Sequence, residues 1–240
     1  MTEFRYNPPM DPYLEILYQD EDLLFLNKPA ELLSVPGRAA EHWDSLATRV
    51  QRVYPNARVV HRLDMATSGL IVMAMHAESH KALNRQFSER QVEKLYYAWV
   101  SGEVAKTDGE VNLPLRCDWP NRPRQMVDHE LGKKALTRWR RVGIKDGNSL
   151  MELKPVTGRS HQLRVHMQAI GHPILGDRLY AKGPALDNYD RLHLHAAVLT
   201  LTHPYRQSTL MIKAPVAFEL LDDQGPMDNR DAAVGSDHSR

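Results

Sequence analysis

One acid stands in a short polar stretch between two apolar ones. Val59-Val60-His61-Arg62-Leu63-Asp64-Met65-Ala66-Thr67-Ser68-Gly69 leads into Leu70-Ile71-Val72-Met73-Ala74. The β-branched pair and the apolar run read as strands, which places His61, Arg62 and Asp64 on the loop between them. Gly69 lets the backbone turn or be approached closely just before the second strand. A carboxylate on a loop between rigid strands is well placed for chemistry, as nucleophile or as base. Taken alone, the same Asp reads as a turn former. Two further residues could join it. Arg164 lies in Gly158-Arg159-Ser160-His161-Gln162-Leu163-Arg164-Val165-His166; a cation near a carboxylate keeps it ionised and fixes its rotamer, and phosphate contact is the other use of such an arginine. Tyr96, in Lys94-Leu95-Tyr96, could stack on a base and assist a proton transfer, or could be a core tyrosine.

These stretches resemble a known family. His61-Arg62-Leu63-Asp64 followed by Thr67-Ser68-Gly69-Leu70 resembles the signature of the RluA family of RNA pseudouridine synthases. Lys94-Leu95-Tyr96 resembles its second motif and the run around Arg164 its third. Gly171-His172-Pro173-Ile174-Leu175-Gly176-Asp177 then follows as in the family. Ordered motifs spread over about residues 14–218 are far more specific than one short match. The resemblance implies isomerisation of uridine to pseudouridine without cofactor. Asp64, Tyr96 and Arg164 would be the catalytic set, with Arg164 beside Asp64. Arg62 would fill the space left by a flipped base, though a phosphate contact fits it nearly as well. His61, Leu163, Arg122, Arg124, Arg159 and His161 are further candidates for substrate and RNA contact. The substrates implied are a tRNA anticodon stem-loop and a 23S rRNA hairpin; another rRNA or tRNA uridine stays open. So do an RNA-binding or RNA-folding protein with incidental catalysis and a glycosylase that uses Asp64.

The elements that must hold these residues can be read from pattern. Leu14–Tyr18 and Leu23–Asn27 read as strands around Gln19-Asp20-Glu21-Asp22. Asp44 or Ser45 caps a helix reaching about Tyr54, with Arg49 and Arg52 on its solvated faces. Leu70–Met75 is a strand, Ala77–Gln91 a helix and Val92–Val100 a strand with Tyr97 and Tyr96 on opposite sides. Residues 117–125 form a loop. Lys134–Ile144 and Ser149–Val156 make a hairpin turned by Asp146-Gly147. Ser160 caps a helix to Ile170, ended by Gly171. Leu163, Met167 and Ile170 would be its buried stripe, with His161, Arg164 and Gln168 on another face. Arg191–Pro204 and Ser208–Ala214 close the chain.

The fold class expected is α+β: a mixed, mostly antiparallel sheet flanked by helices, with the active cleft over the sheet. Residues 14–221 form the catalytic domain, without the S4-type RNA-binding domain of larger family members. They are preceded by an arm over 1–13 and followed by an acidic, disordered tail over 222–240. Of 31 basic and 30 acidic residues, the ends (1–31 and 219–240) keep 4 and 13. The body therefore carries a net +10, which suits a polyanionic partner. The lone Cys117 fits a reducing cytoplasm and excludes a Cys-rich zinc site. His161 and His166 are five apart, off the spacing that puts two ligands on one helical face, so no metal is expected. No apolar run approaches membrane-spanning length, and no obligate protein partner is evident.

Overall fold

The computed structural model describes residues 6–221. The tail expected at 222–240, and the first five residues of the arm, lie outside the described residues. In chain order the elements are β1 (Ile16–Gln19), β2 (Leu23–Lys28), α1 (Leu46–Val53), β3 (Arg58–Val59), β4 (Ser68–Ala74), α2 (Ala77–Ser88), β5 (Glu93–Val100), β6 (Asp108–Asn112), β7 (Leu115–Cys117), β8 (Gln125–Val127), β9 (Leu136–Lys145), β10 (Asn148–Pro155), α3 (Gln162–Ala169), α4 (Pro184–Asp187), β11 (Leu194–Thr202) and β12 (Thr209–Lys213). The class is α+β. The strand pairings described below are all antiparallel. The chain divides into two compact units: residues up to Glu93 with Ala197–Pro215, and Lys94–Ala196 with the segment from Val216.

In the first unit, β2 pairs with β1 on one side and β4 on the other, and β3 adds to β4. Leu23–Leu26 and all of β4 are buried. A continuous apolar run, rather than an alternating one, marks strands covered on both faces. Gly69 takes φ +112° opposite Lys28, a conformation that any side chain would strain. Helix α1 starts at the expected cap: Ser45 accepts from the Thr48 N–H, and Thr48 answers from its own side chain. Arg49 departs from the expected solvated face. It is 1% exposed, forms an ion pair with Asp44 at 2.7 Å and lies over the Tyr13 ring. Strands β11 and β12 pair from Val198–Lys213 to Thr202–Thr209. The buried His203 that follows β11 reaches back to the β1–β2 turn, 2.9 Å from Asp20.

In the second unit the order is β5-β10-β9-β6, and β7 and β8 form a separate two-stranded ribbon. The turn between β9 and β10 is the expected one, with Asp146 and Gly147 at φ +51° and +70°. Strands β6, β7 and β8 add to the elements expected from sequence, with β7 and β8 flanking the loop expected at 117–125; each has five residues or fewer and too little apolar periodicity to show. His161, not Ser160, stands at the N-cap position of α3, and its side chain makes no capping bond. His161 sits at φ +52°, with its ring Nδ1 2.7 Å from the Tyr180 hydroxyl. A tertiary contact thus overrides the local capping preference of serine. The helix is also buried more completely than an amphipathic stripe predicts, with Gln162 through Met167 all enclosed. Arg164 therefore belongs to the interior and not to a polar face.

Gly176 is needed for a different reason from Gly69. It adopts φ +70°, and a Cβ there would lie 1.8 Å from the Arg191 carbonyl oxygen. Gly176→Ala should therefore destabilise the protein by about 2 kcal/mol or more through backbone strain and collision. Urea unfolding of the variant, read as a lowered midpoint with an unchanged slope, checks this.

Candidate active site

The loop that carries Asp64 is held by its backbone. Ser34 Oγ donates to the Leu63 carbonyl at 2.6 Å and accepts from the Leu63 N–H at 3.1 Å. On the other side of Asp64, the Lys28 ammonium, fully buried, donates to the Met65 carbonyl at 3.0 Å and to the carbonyls of Pro29 and Leu32. The Asp64 carbonyl itself accepts from the Thr67 N–H at 3.1 Å, closing a turn. The segment just after β2 thus fixes the peptide on both flanks of Asp64 and leaves the half-buried carboxylate to be aimed by its rotamer. His61 helps fasten the same loop. Its Nε2 accepts from the Val72 N–H at 3.1 Å, and its ring stacks on Phe87 at 4.7 Å. Arg62, between them, is exposed.

Arg164 lies in the second unit and is 4% exposed. Its guanidinium makes a two-pronged ion pair with Asp177: Nε to Oδ2 at 2.8 Å and the second nitrogen to Oδ1 at 2.7 Å. Asp177 is fully buried and also accepts from the N–H groups of Leu179 and Tyr180. Such a carboxylate has its lone pairs filled and acts as a rigid anchor. The Tyr180 ring lies 5.2 Å from the Arg164 guanidinium and 5.1 Å from that of Arg124. The Tyr180 hydroxyl accepts from the Gln125 N–H at 2.7 Å and is hydrogen-bonded to His161 Nδ1 at 2.7 Å. Burial pushes the Tyr180 phenol up to about 12, which keeps the phenol protonated at neutral pH. Arg164, His161 and Arg124 thus meet around one tyrosine.

Tyr96 is half-buried on β5, opposite Leu153. Its neighbour Tyr97 is the core tyrosine. Tyr97 is 2% exposed, donates to Glu152 at 3.3 Å and is pushed up to about 12 mainly by burial. Leu163 is buried, Arg159 is exposed with its Nε on the Lys134 carbonyl, and Arg122 is exposed. Ser34 and Tyr180 stand outside the sequence motifs, whereas Lys28 belongs to the Asn27-Lys28-Pro29 stretch, which the family resemblance implies lies close to the active site. Asp177 stands inside a family-like run; Ser34 and Tyr180 show only once the fold brings them to their partners.

One group among the described residues has the geometry for a cation. Ligand atoms of Asp20, Asp22 and His203 lie within 4.8 Å of one another. Their hydrogen bonds are already committed. His203 Nδ1 accepts from the N–H groups of Tyr205 and Arg206, leaving Nε2–H to Asp20. Asp20 also takes the Tyr18 hydroxyl and the N–H groups of Asp22 and Leu23. These bonds make the group a clamp between two turns.

Residues 22–169, which hold both the Asp64 loop and Arg164, match the family described as RNA pseudouridylate synthase. The chain is 55% identical over 214 residues to the Dual-specificity RNA pseudouridine synthase RluA of Salmonella typhimurium, covering 89% of this chain and 98% of that one. The protein of the same name from Escherichia coli strain K12 matches at the same identity and coverage. That from Vibrio cholerae is 53% identical, over 85% of this chain and 82% of its own. Among solved structures, Human RNA Pseudouridylate Synthase Domain Containing 1 superposes with a TM-score of 0.71 at 28% identity, covering 90% and 86% of the two chains. The fastened carboxylate loop, the buried arginine and these likenesses agree: the chain belongs to the RNA pseudouridylate synthase family and is an RNA pseudouridine synthase of the RluA kind, an isomerase.

Proposed function

We propose that this enzyme modifies a uridine in a short hairpin loop shared by two RNAs, a tRNA anticodon arm and a 23S rRNA hairpin, in the cytoplasm. The observation that carries the reading is the extent of identity to relatives named for dual specificity, 55% over 98% of their length. In the reaction the C1′–N1 bond of uridine breaks and a C1′–C5 bond forms; the proton leaves C5 and N1 gains one. Asp64 is the carboxylate that acts at the sugar or as the base, Tyr96 assists at the uracil, and Arg164 serves the chemistry electrostatically. Arg62, with His61, Leu163, Arg122, Arg124, Arg159 and His161, supplies contacts to the RNA.

A flipped uridine is cheapest to extract from an unpaired loop, so loop shape rather than duplex sequence should govern choice. Two minimal hairpins, one from each RNA, are compared with versions whose loops are closed into duplex. Pseudouridine is expected in both open hairpins and in neither closed one, with affinity that falls as salt rises. Equal modification of open and closed forms, or none in either open hairpin, would falsify the target while leaving the synthase assignment intact.

A further inference from the structure

Between β7 and β8 the chain rises through a single 3-10 turn, Trp119–Asn121. The turn is closed on itself by backbone bonds: Asp118 N–H to the Arg124 carbonyl, Arg124 N–H to the Asn121 carbonyl, and Asn121 N–H to the Asp118 carbonyl, each 3.0 Å. Asn121 adds its side chain to the Asp118 carboxylate. On this rigid tip Trp119 is 63% exposed. The Arg122 guanidinium lies over its ring, 4.7 Å from the centroid. Arg124, two residues on, is laid over Tyr180. Among the described residues, neither guanidinium meets a carboxylate within ion-pair distance. Trp43 is as exposed, at 64%, yet no arginine lies over its face. An indole left largely in water gives up a large burial gain, and among the described residues the Arg122 guanidinium is the group laid over its ring.

We infer that Trp119 and Arg122 form a stacking platform for one unpaired base of the substrate RNA, separate from the uridine that reacts. This rests on the hairpin-loop reading above and assigns a contact within it. An indole face accepts any base. The adjacent planar cation adds a cation–π component and attracts the phosphate of the same nucleotide. Two arginines without acidic partners favour a polyanion over an apolar protein surface. The closed turn holds the ring before binding, so little entropy is lost when the base arrives. The contact would be sequence-tolerant, which suits an enzyme that accepts two RNAs.

The test uses full-length protein carrying Asp64→Asn, so that bound RNA is not converted, and the two hairpins with open and duplex-closed loops. Trp119→Ala should weaken binding of open hairpins by about 5- to 150-fold, the range of one lost base stack. Binding of closed hairpins should stay within about 2-fold, and Trp119→Phe should keep most of the affinity. In the Asp64 enzyme, Trp119→Ala should raise KM and leave kcat within about 2-fold, since the platform lies outside the chemistry. Open hairpins should also quench the part of the tryptophan emission that Trp119→Phe removes. Wild-type-like binding by Trp119→Ala, or equal loss for open and closed RNAs, overturns the platform alone. If the parent protein shows no preference for open loops, the substrate reading fails and takes the platform with it.

Discussion

Asp64→Asn yields a folded protein that binds RNA and makes no measurable pseudouridine. The fold should survive because the loop is held through peptide groups: Ser34 grips Leu63 and Lys28 grips Met65. The amide keeps the shape of the carboxylate and loses its charge and its nucleophilicity. Removing the group that attacks or takes a proton lowers turnover by about 10⁴-fold or more. The phosphate contacts proposed for arginines elsewhere would be untouched, so affinity should move by less than about 3-fold. Pseudouridine mapping on a hairpin substrate, beside a binding isotherm and an unfolding curve, separates the three quantities. Turnover near the wild-type level would remove Asp64 from the mechanism.

The second large effect concerns Arg164. Its partner Asp177 is fully buried, so Arg164→Met leaves a carboxylate enclosed with two backbone N–H donors and no cation. Breaking one side of such a pair costs about 3–5 kcal/mol, and the surviving donors place this case toward the lower end. The arginine would then carry two roles, one in the fold and one in the reaction. Adding Asp177→Asn to Arg164→Met removes the stranded charge. The double variant should regain most of the stability in urea unfolding. Its turnover should stay about 10²- to 10³-fold down, the scale of one lost electrostatic contact in an active site, with affinity changed far less. Recovery of turnover together with stability would show that Arg164 acts only by packing.

Much of the architecture could be read from local pattern because local physics decides it. Ser45 caps α1, Asp146-Gly147 turns the β9–β10 hairpin and Gly171 at φ +89° follows α3, each as its residue type demands. Asp64 stands on a loop between strands, as the apolar runs around it require. What the pattern missed depends on long-range contacts. Ser34 meets Leu63 across 29 residues and Lys28 meets Met65 across 37. Arg164 finds Asp177 only after the chain leaves α3 and turns at Gly176. The His161 cap failed to show for the same reason, since Tyr180 sets it from 19 residues away. Arg49 reads as a surface residue until Asp44 and Tyr13 enclose it. Buried charges are the least legible feature of a sequence, because their types are those of the surface and only a partner makes burial tolerable.

The first unit is discontinuous: residues up to Glu93 are completed by Ala197–Pro215. The bond from His203 to Asp20 joins residues 183 apart, and Gln86 meets Thr202 across 116. The ribosome therefore delivers the Asp64 loop long before the segment that completes its unit. The second unit, drawn mainly from Lys94–Ala196, is almost wholly synthesised before β11 and β12 exist. The usual order of folding during translation, N-terminal part first, is therefore expected to be reversed for this chain. Until about residue 215 has left the exit tunnel, the first unit lacks the strand segments that complete it, and an unpaired sheet edge is the expected consequence. Chaperone binding should concentrate in that interval, and truncation before Pro215 should yield insoluble protein rather than a smaller enzyme.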